Sequence, residues 1–375
     1  MQSKLLAQMF GNQRWVYNYF LAEQKRRLDA KEKLLSRFDM QKLLPQLIQQ
    51  NDWLLASKVD SLRFSIQALD NAFRRFFAKS ARFPRFKSRS NELMVATDQP
   101  GKNLRFSKAL GKIRAVAHRP ITNGKIKRFT IKKTPSGKYF QSVLVETPES
   151  VPVVKQPNGF IGIDEGLTTF ITLSTGRKIQ HGKHYRANQA RLKREQRRLA
   201  RRKKGSNRRE RQRIRVAKIH EKIQNSRSYE VHLITTNLVR KAVAESQGIA
   251  FQKTNIKNQM QNSKLALSIT DASWGELRRQ LSYKCERAGV ALVEVDQWAP
   301  TSYPCFDCGA VPDTKGLAVR SWRCACGRKI DRDVNAARNI SRLAERVWRR
   351  EAPLLDEEAG AVRLADESSS GRKAA

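Results

Sequence analysis

Apolar residues recur at Val59, Leu62, Ile66, Leu69, Phe73 and Phe76, the three-and-four spacing of one buried helix face. A second amphipathic stretch holds Trp15, Tyr17, Phe20 and Leu21, and together the two predict a helical region over residues 1–90. Phe83-Pro84-Arg85-Phe86-Lys87 ends it, because proline cannot continue a helix. Residues 91–150 change texture. Runs such as Phe129-Thr130-Ile131-Lys132 and residues 139–145, divided by glycine and proline turns, predict short strands, and 151–158, with Pro152 and Pro157, a linker.

Beyond the linker, Phe160-Ile161-Gly162-Ile163-Asp164 reads as a strand that returns through Glu165-Gly166 to a second strand at 170–173, a hairpin with an acid at the end of its first strand. Residues 186–218 predict a basic helical hairpin broken at Gly205-Ser206-Asn207. A helix around 225–245, a strand at 248–252, a helix around 270–288 and a strand at 291–296 follow. A cysteine cluster interrupts the pattern over 301–330 and a helix resumes at 333–350. The tail, 351–375, mixes Asp, Glu, Ser, Gly and Ala and predicts disorder. No internal repeat is evident.

Charge narrows the function. The 375 residues leave room for two or three domains. With 29% charged and 39% hydrophobic residues, the chain is neither a membrane protein nor wholly disordered. No apolar run approaches the ~18–20 residues of a membrane span, and the N-terminus has no secretory pattern. The 75 Lys and Arg against 34 Asp and Glu give a net +41, and a chain this basic calls for a polyanion. Nucleic acid fits better than an anionic membrane, since no basic amphipathic anchor stands out. The hairpin at 186–218 alone carries 16 Lys and Arg against two Glu.

Five cysteines set the compartment. Cys305, Cys308, Cys324 and Cys326 form two close pairs, a metal-site pattern in a reducing cytoplasm, whereas Cys285 stands alone in a predicted helix as a small buried residue. Each pair precedes a glycine, Gly309 or Gly327, that lets the chain bend around an ion. Four thiolates make a closed structural zinc ribbon with no position open for catalysis. The second pair is Cys-x-Cys rather than Cys-x-x-Cys, which strains or weakens such a site. Asp164 at a strand end and Asp333 at a helix start could together share Mg²⁺; each taken alone is an ordinary cap or turn residue.

Those acids sit in a recognisable order. Gly162-Ile163-Asp164-Glu165-Gly166-Leu167 resembles the first motif of the RuvC-like nuclease domain of the TnpB family, the RNA-guided nucleases of insertion sequences and relatives of type V CRISPR effectors. Lys204-Gly205-Ser206, Asn225-Ser226-Arg227, Asn255-Ile256-Lys257-Asn258, Asp271-Ala272-Ser273-Trp274, Leu281-Ser282-Tyr283-Lys284, Thr301-Ser302 and Asp331-Arg332-Asp333-Val334-Asn335-Ala336-Ala337 are similar too. Upstream, Phe10-Gly11, Arg14-Trp15-Val16-Tyr17-Asn18, Ala72-Phe73-Arg74-Arg75-Phe76-Phe77 and Phe83-Pro84-Arg85-Phe86-Lys87 match as well.

The resemblance implies an α/β multidomain fold. A helical recognition region (1–90) and a small β-barrel wedge (91–150) would precede a RuvC-like RNase H fold (159–300), which an inserted zinc ribbon (301–330) separates from its C-terminal helix (331–350). Met1 stands almost at the Phe10-Gly11 motif, so either the wedge lacks a strand or the start lies downstream of the ancestral one. The resemblance implies a Glu at the position of Gln252, so the site loses one of three carboxylates and Mg²⁺ binds weakly or not at all. Lys253 and Thr254 also depart from the pattern, as do Tyr229, where an Asp is common, and Leu233, where a Lys is common. Glu245 is the nearest upstream acid that could replace the missing one.

The implied protein is a nuclease-dead, TnpB-like repressor in the bacterial cytoplasm at the nucleoid. It would act as a monomer, bind guide RNA and double-stranded DNA beside a short flanking motif, and compete with RNA polymerase. Arg14, Trp15, Tyr17, Asn18, Arg74, Arg75, Lys79, Arg85 and Lys87 combine cations and rings suited to the flanking motif, although Trp15 and Tyr17 fit a core equally well. Arg197, Arg198, Arg201, Arg202, Lys203, Lys204, Arg208 and Arg209 are expected on phosphates. The rival readings are an active RNA-guided endonuclease and a decayed transposon protein with non-specific nucleic-acid binding.

Overall fold

The computed structural model describes residues 2–88, 93–97, 116, 123–312, 316 and 319–351, with backbone only for 93–97, 257 and 351. The tail expected to be disordered lies outside the described residues beyond 351. The chain divides into two compact units, Met1–Glu149 and Ser150–Ala375.

In the first unit, α1 (Gln2–Asp29), α2 (Arg37–Gln49), a short 3-10 turn (Asp52–Ala56) and α3 (Val59–Phe77) come first in the chain. Ser36 and Asp39 close a reciprocal capping box that starts α2. The apolar stripe of α3 buries Leu62, Ile66, Leu69 and Phe73 against Val16, Phe20 and Leu21 of α1 and Met40 and Leu44 of α2. Val59, at the first turn, stays exposed. The helical region ends at Phe77, and residues 78–88 run without helix. Strands β1 (Leu93–Thr97), β2 (Lys125–Lys133) and β3 (Tyr139–Glu146) form an antiparallel sheet in that order, on which Leu6, Met9 and Phe10 pack against Phe129 and Ile131. The rest of the expected barrel, 98–115 and 117–122, lies outside the described residues.

The second unit is built on a five-stranded sheet: β4 (Phe160–Glu165), β5 (Ile171–Leu173), β6 (Lys178–Ile179), β7 (Gly248–Gln252) and β8 (Leu292–Val295), in the order β6-β5-β4-β7-β8. β5 runs antiparallel to β4, whereas β7 and β8 run parallel to it. Between β6 and β7 come α4 (His184–Ala200) and α5 (Asn207–Ala244). The helix expected around 225–245 is the far half of α5: no glycine or proline interrupts Asn207–Ala244, so the basic hairpin's second arm runs straight to the sheet. After β7 come a short α6 (Ile256–Gln259), α7 (Ser263–Ala272) and α8 (Trp274–Ala288). Ser273, at φ +58°, breaks the expected helix of 270–288 in two.

The ribbon hairpin is β9 (Ser321–Arg323) and β10 (Lys329–Asp331), and α9 (Arg332–Glu351) closes the described chain. Alternating side chains bury both faces of the parallel strands. Ile161, Ile163, Ile249 and Phe251 pack toward α5, α7 and α8; Phe160, Ala250 and Val293 pack toward Ile340, Ala344 and Trp348 of α9. No helix among the described residues is long and apolar enough to cross a membrane.

Candidate functional site

Parallel pairing of Ile163 with Phe251 sets Asp164 beside Gln252 at the carboxyl ends of adjacent strands, where ligands of open α/β sheets bind. Gly162 lets α9 lie directly on β4, since any Cβ there would collide with the Ala337 carbonyl. That packing brings Asp333, in the first turn of α9, toward Asp164. Burial pushes the Asp164 carboxyl up to about 7; the negative charges of Asp333 and Glu165 add to the rise, and Arg332 and Arg320 oppose it. Asp333 in turn lies 3.7 Å from the guanidinium of Arg320 and 3.8 Å from that of Arg332. Asp331 is used elsewhere, pairing with Lys178 at 2.7 Å and accepting from the Val334 N–H.

Gln252 points its carboxamide at the loop after β8. Its Nε2 donates to the carbonyls of Asp296 (3.1 Å), Gln297 (3.3 Å) and Ala299 (2.9 Å), and its Oε1 accepts from the Thr301 hydroxyl at 3.0 Å. Three acceptors converge on one amino group, so a carboxylate in this orientation would face three carbonyl oxygens with no proton to give. Glu165, next to Asp164, forms a buried ion pair with Arg278, which also donates to the carbonyls of Thr254 (3.2 Å) and Gln252 (3.3 Å). Burial raises the Glu165 carboxyl, and Arg278 works against that rise.

Two more carboxamides hold the same loop. Asn335 Nδ2 donates to the Ser302 and Pro304 carbonyls at 3.2 and 2.8 Å, and Asn339 Nδ2 to those of Thr301 and Pro304 at 2.8 and 2.7 Å. Sequence reading singled out neither asparagine, nor Arg278 or Thr301, for such a role. The available signal was the i, i+4 spacing of Asn335 and Asn339, which puts both on one face of α9.

The four ribbon cysteines converge. All four sulfurs lie within 4.8 Å of one another, with Cys305 Sγ 3.9 Å from Cys326 Sγ and Cys308 Sγ 3.5 Å from Cys324 Sγ. Four sulfurs at ~2.3 Å from one ion stand about 3.8 Å apart, so the cluster fits a tetrahedral metal and the Cys-x-Cys spacing does not prevent it. Gly309 and Gly327, at φ +78° and +84°, make the tight turns. Burial pushes the Cys305 thiol up, but the N–H groups of Cys308 and Asp307 outweigh it and leave the thiol down at about 7. Cys285 is buried in α8, and burial pushes its thiol up to about 12, an inert packing residue.

The basic candidates divide. Tyr17 is buried, Lys87 Nζ sits 4.0 Å over its ring, and Asn18 exchanges two hydrogen bonds with the Lys87 backbone. These three fasten residues 83–88 to α1, and Tyr17 takes the core position its sequence also allowed, while Asn18 and Lys87 stay half-buried. Trp15 is half-buried between Tyr19 and Trp53 at 5.3 and 5.0 Å, and Arg14 is half-buried beside it in sequence. Arg74, Arg75, Lys79 and Arg85 are exposed, Arg74 pairing with Asp70 at 2.9 Å.

On the hairpin, Arg197, Arg201, Lys203, Lys204 and Arg208 are exposed, and Arg198 pairs with Glu195 at 2.8 Å. Arg209 donates to the Leu199 and Arg202 carbonyls at 2.8 and 2.9 Å and closes the end of α4, and Arg202 is half-buried at the same turn. Those two therefore build the hairpin rather than its outer face. Tyr229 and Leu233 stand exposed one turn apart on α5.

Comparison with known proteins gives the family and the fold. Residues 274–340 match the Cas12f1-like TNB domain family, residues 141–262 the OrfB_IS605 family described as "Probable transposase", and residues 1–33 its helix-turn-helix domain family; here 2–29 are one unbroken helix. A Streptomyces pristinaespiralis protein named "Putative RNA-guided DNA endonuclease" is 36% identical over 90% of this chain and 85% of its own length. The Escherichia coli (strain K12) protein of the same designation, InsQ, is 31% identical over 88% of this chain and 86% of its own. A solved Cas12f1–sgRNA–target DNA complex shares the fold, with a TM-score of 0.58 and 14% identity over 90% of this chain and 82% of that one. The chain belongs to the TnpB/IS605 transposase family and is related to Cas12f1.

Proposed function

We propose that this protein is an RNA-guided, sequence-specific DNA-binding protein that holds double-stranded DNA without cutting it and represses transcription by occupying a promoter. Guide and target enter by kinship, since its relatives are named RNA-guided DNA endonucleases. The observation that carries the loss of cleavage is Gln252. It occupies the strand-end position where the resemblance expects a glutamate, and its carboxamide is committed to the loop at 296–301.

The remaining donor set fits Mg²⁺ poorly. Two carboxylates are left, and one of them has guanidinium groups at 3.7 and 3.8 Å. A small hard cation that gives up its waters reluctantly needs more negative charge than that. Among the described residues the only cluster of three or more metal-ligating side chains is the four cysteines, for which zinc is the fitting ion. Glu245 does not replace the missing acid. It caps α5 before β7 begins, about 13 Å of strand from Gln252. The sheet order, with its second strand antiparallel and the acids at the β4 end and α9 start, supports the RuvC-like reading.

The exposed hairpin cations and the net +41 supply the phosphate contacts. A protein that keeps these surfaces without cleaving can still block RNA polymerase by remaining bound. The test is to purify the chain with its RNA, sequence that RNA, and build a duplex matching its guide segment. Binding and cutting are then scored together in Mg²⁺. Tight guide-dependent binding with intact DNA is expected. Cut DNA would make the chain an endonuclease with another ligand, and binding indifferent to the guide would leave only salt-driven attraction.

A further inference from the structure

A cleft of about 420 Å³ opens beside Gln252, lined by Gln297, Thr301, Ser302, Tyr303 and Val311 among others. Its lining holds no charged side chain, in a chain whose net charge is +41. A phosphate there would find no cation to offset its charge. What the lining offers is a carboxamide, hydroxyls and the flat sides of proline and tyrosine. Among the described residues no protein partner bonds the Gln297 carboxamide or the Ser302 and Tyr303 hydroxyls. Uncharged donors and acceptors of this kind read the edges of heterocyclic bases.

Beside the cleft, between the lining residues Gln297 and Ala299, stands Trp298 with 83% of its surface exposed. The loop that presents it is held at many points. Trp298 N–H donates to Asp296 Oδ1 at 2.6 Å, and the carboxamides of Gln252, Asn335 and Asn339 together bind carbonyls from Asp296 to Pro304. A large apolar ring fixed in water by a tethered loop has its whole face open to a planar partner, and base–aromatic stacking is tolerant of base identity.

We propose that Trp298 and the uncharged cleft beside it bind an unpaired nucleobase of a single strand, by stacking on the indole and hydrogen bonding to Gln297 and the cleft hydroxyls. The site needs a single strand and no guide, so it stands or falls apart from the function proposed above.

The full-length chain is titrated with a short single-stranded DNA carrying 2-aminopurine, and with the same sequence as RNA, at salt high enough to weaken phosphate contacts. Trp298→Ala is expected to weaken binding about tenfold and abolish the quenching of 2-aminopurine, while Trp298→Phe retains most of both. Equal binding and quenching by Trp298→Ala and the unaltered chain would overturn the proposal. A response to both strands identifies the base alone as the ligand, and a response to one strand identifies its source.

Should the alanine variant fold poorly, photocrosslinking of a 4-thiothymidine strand to the unaltered chain decides. Adducts within 297–304 support the site, and adducts confined to 186–218 overturn it. Guide-dependent duplex binding is measured in parallel. Adducts at 297–304 without it would sink the repressor reading alone, and the reverse would sink this one alone.

Discussion

The two candidate metal centres of the second unit lie at either end of one short loop, and they differ in completeness. The ribbon brings four sulfurs within 4.8 Å even though its second pair is one residue short. The acidic centre keeps its scaffold, with parallel strands in register and Gly162 admitting α9. On the reading proposed above its third arm would be Gln252, a carboxamide bound to backbone. Backbone turns set the first site, so it tolerates a changed spacing. The second, as proposed, would depend on the charge of one side chain, and the neutral Gln252 at that position ties down residues 296–301.

The largest test of that contrast is metal removal. Structural zinc sites in small modules contribute roughly 10 kcal/mol or more of folding free energy. Cys308→Ser or a strong chelator should therefore remove one zinc per chain and abolish hydrogen-exchange protection over 305–331. Elemental analysis and exchange mass spectrometry read both, and a ribbon that stays protected without metal would make the two centres alike.

The next largest effect is at Arg278. Arg278→Met leaves Glu165 buried without its partner, which should cost about 3–5 kcal/mol in denaturant unfolding. Adding Glu165→Gln should recover a good part of the loss, and a double-mutant cycle with no coupling would show that the pair does not matter.

Gln252→Glu comes third. It exchanges a donor for a carboxylate facing three carbonyls, so it should destabilise by about 1–3 kcal/mol and raise neither Mg²⁺ affinity in calorimetry nor cleavage. A gain of Mg²⁺-dependent cutting would show that the acidic centre is one residue from complete.

The smallest effect is one of pH. Asp164 is raised from 3.8 to about 7, so between those values the folded chain keeps a proton that the unfolded chain has released. Stability from this group therefore falls as pH rises through that window. Asp164→Asn should leave Tm nearly unchanged at the acid end and raise it above pH 7. A gain independent of pH would place the effect in packing instead.

Much of this was legible in the sequence. The α3 stripe, the β4–β5 hairpin with its terminal acid, strand Gly248–Gln252 and the cysteine pairs follow from periodicity and spacing that local physics enforces. Boundaries that depend on tertiary packing were not legible. The continuity of α5 across 225 rests on Val216, Ile219 and Ile223 packing in the hairpin and Val231, Leu238 and Ala242 on the sheet, two cores served by one helix. The break at Ser273 is a left-handed residue that carries no strong sequence mark. Tyr17 fits a reading surface and a core equally in sequence, because an aromatic ring suits both, and its burial is what places it in the core. The Gln252 tie was invisible because three of its partners are backbone carbonyls 44 to 47 residues away in the chain, and carbonyls have no identity in a sequence.

One helix has a mechanical consequence. The 38 residues of α5 span about 57 Å at 1.5 Å per residue, stiff throughout, and only three residues separate its end from β7. It is a beam with the cationic tip at one end and the strand that carries Gln252 at the other. A load on the tip, such as a polyanion being drawn past it, would reach the sheet only through the turn at Glu245-Ser246-Gln247, the one joint between the beam and β7.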